Sequence, residues 1–209
     1  MKLVLAICAA LGSVCVARAH PVAQGSMDVS ISPAKIEVRA RVSLEEIFVA
    51  NMHAPSPATS LAEACENHGD YLLSHLHLIA DEHPLTGVRV ASPASPPGPG
   101  NTHVTYDFEF PVSSPVGTFR IEQNVLNEVE YAPGNRWEAS FVVHAQEGSQ
   151  VLLEGALLTS REPLLLSNGS RPSGWRTARD YARHGIVHIL TGYDHLLFIA
   201  ALALAVTSF

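Results

Sequence analysis

Ser26-Met-Asp-Val-Ser-Ile-Ser32 and Lys35-Ile-Glu-Val-Arg-Ala-Arg-Val42 alternate apolar and polar side chains residue by residue, with Pro33-Ala34 between them. A period of two marks a strand that buries one face, and two such runs across a short turn predict a hairpin. Downstream the same period recurs. From His75 it reads His75-Leu76-His77-Leu78 and runs to about Asp81-Glu82, with Val88 to Ala91 pairing back across a turn at His83-Pro84. Further strand-like runs cover 102–112, 116–126, 137–144 and 150–160. Ser92 to Asn101 is too rich in Pro and Gly to join a ladder and reads as a loop.

Two breaks in this pattern carry capping boxes, in which an N-cap hydroxyl and an acid three residues on satisfy each other's backbone donors. Ser43-Leu-Glu-Glu46 starts a short helical turn, broken at Ala54-Pro-Ser-Pro-Ala58. Ser60-Leu-Ala-Glu63 starts an amphipathic helix over 60–74, with Leu61, Cys65, His68 and Leu72 on one face. The fold class expected is therefore mainly β: a β-sandwich-like domain with one amphipathic helix, over residues 20–165.

The first nineteen residues stand apart. Lys2 precedes an apolar run from Leu3 to Val16, and Ala17-Arg18-Ala19 is a small-x-small cleavage site, so 1–19 reads as an export signal. Cleavage would leave His20 as the first residue, where an amine and an imidazole together can chelate a metal. Of three cysteines, Cys8 and Cys15 fall in the signal and only Cys65 stays, so the mature chain has no intrachain disulfide. Residues 20–162 carry 7 Lys and Arg against 18 Asp and Glu, a balance of −11 with His neutral. That field repels nucleic acid and gathers cations. The sequence holds no Gly-x-Ser-x-Gly, His-Glu-x-x-His, phosphate loop or dinucleotide fingerprint.

In the domain, His75 and His77 sit two apart on what reads as one strand face, a spacing that lets two imidazoles share a metal; they are weaker metal candidates, as is His20. Cys65 and His68 read as packed residues of the helix face.

After a Ser/Gly/Pro-rich linker and juxtamembrane segment, 166–184, the character changes again. From Ile186 to Phe209 the chain is apolar enough for a membrane-spanning helix of roughly 36 Å, against a hydrocarbon core of about 30 Å. Its N-terminal half nevertheless carries ionisable groups, in His184-Gly-Ile-Val-His188-Ile-Leu-Thr-Gly192-Tyr-Asp194-His195. At about 100° per residue the three imidazoles fall within about 40° of one another, with Asp194 about 80° to one side. Ionisable residues in a span normally face a bundle interior or a cavity. His188, Asp194, His195 and His184 are thus the leading metal-ligand candidates, His184 at the outer mouth. Imidazole and carboxylate do not separate nickel from copper, zinc or cobalt.

His188, five residues, then Asp194-His195, set among Gly185, Gly192 and Leu196-Leu197-Phe198, resembles the first transmembrane helix of HupE/UreJ-type proteins, in the branch with an extracytoplasmic N-terminal domain. These are hydrogenase and urease accessory membrane proteins regarded as nickel permeases. The resemblance implies a non-enzymatic role in binding or taking up a divalent metal, nickel first. It implies the inner membrane as location, with residues 20–165 in the periplasm or outside the cell. It makes residues 185–209 the first of several membrane helices, the others being partners that this chain does not contain. No cofactor is expected to be needed for folding. Two other readings remain open: an extracytoplasmic metal- or protein-binding module anchored by a single helix, and an intramembrane metal-dependent hydrolase.

Overall fold

The computed structural model describes residues 22–90, 102–113 and 116–167, together with Arg179 and Ala182. All the strands and helices named below lie in the compact unit Pro21–Thr177. Chain order gives β1 (Val22–Ile31), β2 (Lys35–Ser43), α1 (Leu44–His53), α2 (Leu61–His75), β3 (Leu76–Ala80), β4 (His83–Pro84) and β5 (Val88–Arg89). There follow β6 (His103–Pro111), β7 (Thr118–Gln123), β8 (Glu130–Ala132), β9 (Asn135–Arg136), β10 (Glu138–Glu147), β11 (Gln150–Thr159) and β12 (Leu164–Ser167). The mainly β expectation is borne out.

The opening alternation does what its period requires. β1 and β2 pair antiparallel from Ser26↔Arg41 to Ile31↔Ile36. Met27, Val29, Ile36, Val38, Ala40 and Val42 are buried, while Asp28, Glu37, Arg39 and Arg41 point to solvent. Ser32 closes the turn: its hydroxyl donates to the Lys35 carbonyl at 2.7 Å and accepts from the Lys35 N–H at 3.2 Å.

Strand order in the larger, six-stranded sheet is β11-β10-β1-β2-β6-β5, and in the four-stranded sheet β12-β7-β3-β4; β8 and β9 form a separate hairpin. Among the described residues every pairing is antiparallel except one. β1 lies parallel to β10, from Val22↔Glu138 to Ile31↔Glu147. This puts the first strand at the centre of the sheet. Gly25 is the residue that lets it fit: a Cβ there would stand 2.6 Å from the Arg41 carbonyl oxygen and 2.7 Å from the buried Phe141 ring.

Both sheets and both helices feed one core, which includes Tyr106, Phe108 and Phe110 of β6, Phe141 of β10, Leu78 of β3, Ile121 of β7, Ile47 of α1 and Leu72 of α2. Gln123 joins the sheets through a hydrogen bond, donating Nε2–H to the Ala139 carbonyl at 2.9 Å.

Several expectations are corrected. Among the described residues of 22–167 there are two helices where one was expected: the turn begun at Ser43 runs on for ten residues because Ile47, Val49 and Ala50 bury on the sheet. The second helix runs through His75, so the strand starts at Leu76. β4, not the 88–91 run, pairs back on β3; Val88–Arg89 pairs with β6 instead. The 116–126 run is strand only from Thr118 to Gln123, since Leu126 takes a left-handed conformation with φ +62°. The short hairpin β8–β9 and strand β12 had no counterpart in the alternation pattern. Among the described residues no helix is long and apolar enough to cross a membrane. The expected span, 186–209, lies outside the described residues, as do the 92–101 loop and the signal segment.

Candidate functional site

Of the metal candidates, His20, His184, His188, Asp194 and His195 lie outside the described residues. His75 and His77 are described and do not converge. His75 ends α2, where its Nδ1–H donates to the Tyr71 carbonyl at 2.8 Å and its ring lies on the Tyr71 ring, centroids 4.1 Å apart. Its Nε2 stands 3.8 Å from Glu128 Oε1. His77, two residues on, projects from β3 into solvent opposite Glu122. The shared strand face disappears because the helix takes one of the two residues. Among the described residues no group of three His, Cys, Asp or Glu side chains is placed to hold a metal ion. Cys65 is buried in α2, and burial pushes its thiol above the ordinary range, which disfavours the thiolate that a nucleophile or metal ligand needs.

The domain's most unusual polar feature lies between the helices. Glu46 of α1 is 0% exposed and His68 of α2 is 3% exposed. His68 Nε2 donates to Glu46 Oε1 at 2.9 Å. Two aromatic rings enclose the imidazole, Tyr71 with centroids 5.2 Å away and Tyr106 at 5.8 Å. Tyr106 donates its hydroxyl to the Cys65 carbonyl at 2.8 Å, and Tyr71 donates to Glu128 at 2.7 Å while accepting from the Leu126 N–H at 2.9 Å. Burial raises both phenol pKa values above the ordinary tyrosine range, with the Glu128 hydrogen bond adding to the effect at Tyr71. These hydroxyls therefore remain donors. Glu46 Oε2 and His68 Nδ1 are buried without a hydrogen-bond partner among the described residues.

Sequence reasoning placed His68 on the packed helix face and Glu46 in a capping box. The Ser43 hydroxyl does accept from the Glu46 N–H at 3.2 Å, but the Glu46 side chain turns inward to His68 instead of reaching back to the cap. Only one signal could have exposed the pair: a histidine on an apolar helix stripe needs a partner, and a helix in contact with it must supply one.

Around this pair the helices are fixed to the sheet. Arg89 of β5 donates Nη1–H to the Glu66 carbonyl at 2.6 Å and pairs with the Glu66 carboxylate, lying across Gly69. At the far end of β3, Asp81 accepts from the N–H groups of Thr118, at 2.7 Å, and Gly117, at 3.1 Å. These two donors hold its carboxyl below the ordinary aspartate range. Among the described residues these polar contacts thus serve positioning: the buried pair joins helix to helix, Arg89 joins helix to sheet, and the exposed Asp81 joins turn to strand. The Glu46–His68 pair is enclosed by its neighbours and presents neither partner to solvent.

Comparison with known proteins bears on the C-terminal segment. Residues 166–209 match the family described as HupE / UreJ protein. The match covers 44 of 209 residues, includes His184, His188, Asp194 and His195, and bears out the HupE/UreJ-type resemblance. The family is one of membrane-associated accessory proteins linked to metal transport, not a catalytic one. No curated protein matches the chain.

Proposed function

We propose that this chain is a membrane-anchored protein that handles a divalent metal, nickel first, as cargo at the outer leaflet end of its C-terminal helix, with residues 22–167 displayed outside the cytoplasm. The observation that carries the reading is the family match over 166–209, which spans the His-x5-Asp-His pattern. In this reading His188 and His195 act as neutral imidazole donors on one helix stripe. Asp194 offsets cation charge, which an apolar surrounding makes costly. His184 sits at the entry, where water can take its place.

The lack of a metal-binding triad among the described residues supports giving the metal to the helix and not to the β-domain. The acidic balance of 20–162 supports a cation-attracting surface outside the membrane. The test is cellular nickel accumulation in cells producing the protein with whatever further helices its gene encodes. His188→Ala and His195→Ala should each abolish accumulation at unchanged membrane level, because removing a polar group makes insertion easier. Asp194→Asn should weaken it, and His184→Ala should matter least. Wild-type accumulation in both histidine variants would refute the coordination role.

A further inference from the structure

The two helices are fastened to the sheets in different ways. α2 is tied down along its length by directional bonds. Tyr106 of β6 donates its hydroxyl to the Cys65 carbonyl at 2.8 Å, and Arg89 of β5 donates to the Glu66 carbonyl at 2.6 Å. At its end the Asn124 N–H donates to the His75 carbonyl at 3.1 Å. α1 has no such set. Its Leu44 N–H donates to the Thr102 carbonyl at 2.8 Å, where the helix leaves β2. Past that first residue, the one side-chain bond that joins α1 to another helix or strand among the described residues is Glu46 to His68. His53 turns back to the Val49 carbonyl of its own helix. Asn51 holds only the turn that follows, through the Ala58 N–H at 2.8 Å and the Ala58 carbonyl at 3.3 Å.

That single bond is a weak fastening. Glu46 Oε2 and His68 Nδ1 are both shut off from water and find no partner among the described residues. The closed helix therefore carries two polar atoms that would be hydrated if it moved away, and an unpaired buried polar atom costs more than a net hydrogen bond returns. Apolar burial is thin as well. Ile47 is fully enclosed, with Val49 and Ala50 buried beside it, but Phe48 is 49% exposed and Met52 70%. Both ends of α1 rest on extended residues, Ser43 with ψ 153° and Ala54 with ψ 145°. Pro55 and Pro57 then keep the chain from continuing the helix.

We propose that α1 is a flap, which swings off the domain as a unit of its own while α2 and both sheets stay folded. Opening hydrates Glu46 Oε2 and His68 Nδ1, and this offsets part of the lost burial of Ile47, Val49 and Ala50. Releasing α2 would instead break its bonds to Tyr106, Arg89 and Asn124 together. Segments with few buried apolar side chains and few directional ties open at a lower cost than the whole domain. The open flap shows Ile47 and Val49 beside Phe48 and Met52, an apolar strip of which the closed domain presents only the outer half.

The experiment is hydrogen exchange of the purified full chain in detergent, under conditions where reclosing is faster than exchange. Mass spectrometry reads peptides covering 35–43, 44–53 and 61–75, in a urea series below the unfolding transition. Relative to their intrinsic rates, the amides of Phe48 to His53 are expected to exchange at least about a hundredfold faster than those of α2 and β2. They should respond little to urea, the mark of an opening that exposes little surface. In the Glu46→Leu/His68→Leu variant no orphaned atom of the pair is left to hydrate, and two leucines are buried in its place. The α1 amides should then slow at least about tenfold. Circular dichroism checks that this variant is folded. Protection of α1 equal to that of α2, the same urea dependence in both, or α1 exchange as fast in the double variant as in wild type would overturn the proposal.

Discussion

Replacing either member of the Glu46–His68 pair should damage the domain far more than replacing both. The two side chains are enclosed, 0% and 3% exposed, and joined at 2.9 Å. Removing one partner from such a pair strands the other in a medium that cannot solvate it, at a cost of about 3–5 kcal/mol. Glu46→Leu and His68→Leu should each fall in that range. The double variant Glu46→Leu/His68→Leu leaves no polar atom of the pair behind. It also removes Glu46 Oε2 and His68 Nδ1, which find no hydrogen-bond partner among the described residues. Its loss should therefore be well below the sum of the single losses, by at least about 2 kcal/mol, since buried pairs replaced by apolar side chains are often neutral or better. Urea unfolding of residues 20–167, followed by circular dichroism, measures all four proteins. With a slope of about 2 kcal/mol per molar, each single variant should lose about 1.5–2.5 M in midpoint. Single losses below about 1 kcal/mol, or singles that add to within about 0.5 kcal/mol of the double, would refute the reasoning. The pair would then be solvated in a way its burial denies.

Gly25→Ala should destabilise the domain by about 1–3 kcal/mol, as overpacking does, because its Cβ meets the Arg41 carbonyl and the Phe141 ring; an unchanged melting temperature would show that β1 and β10 lie farther apart than described. Asp81 has a folded pKa below its ordinary value because Thr118 and Gly117 donate to the carboxylate, so its contribution is complete above the unfolded aspartate pKa and is lost as pH falls through the lower, folded one. Asp81→Asn should flatten that acid limb of the stability profile, and a profile identical to wild type would remove the two backbone hydrogen bonds from the account. Residues 20–167 should fold alone and without metal, giving a β-dominated circular-dichroism spectrum that a chelator leaves unchanged; a spectrum that appears only when metal is added would contradict a fold held by the apolar core and hydrogen bonds of the described residues, among which no metal-holding triad is found.

How much of this was legible follows the range of each interaction. The β1–β2 hairpin could be read because its period, its Ser32–Lys35 turn and its pairing are all local. The partner of β1 on its other side could not. β10 begins at Glu138, and nothing in either sequence marks a parallel neighbour, since Val22–Ile31 keeps the same alternation whichever strand lies beside it. The register shift of β11 against β10, between Ala156 and Leu153, was hidden for a different reason. Gln150 to Ser160 reads as one strand, and its single glycine marks a place where register can slip without saying in which direction Glu154 will turn.

The candidate sites divide along the same line. His75 and His77 looked convergent because a period of two was extended one residue too far. The helix held on to His75 through its Tyr71 contacts, and one residue of slip across a helix–strand boundary separates two imidazoles that a strand would have aligned. Glu46 looked like half of a local capping box, and locally the Ser43 side of that box is present. What decided its side chain was a residue twenty-two positions away on another helix. Burial explains the outcome. A carboxylate at the first turn of an exposed helix gains by reaching back to its cap, but this turn is pressed into the core by Ile47 and Ala50. A carboxylate carried inward with them must find a donor there, and His68 is the donor that α2 presents.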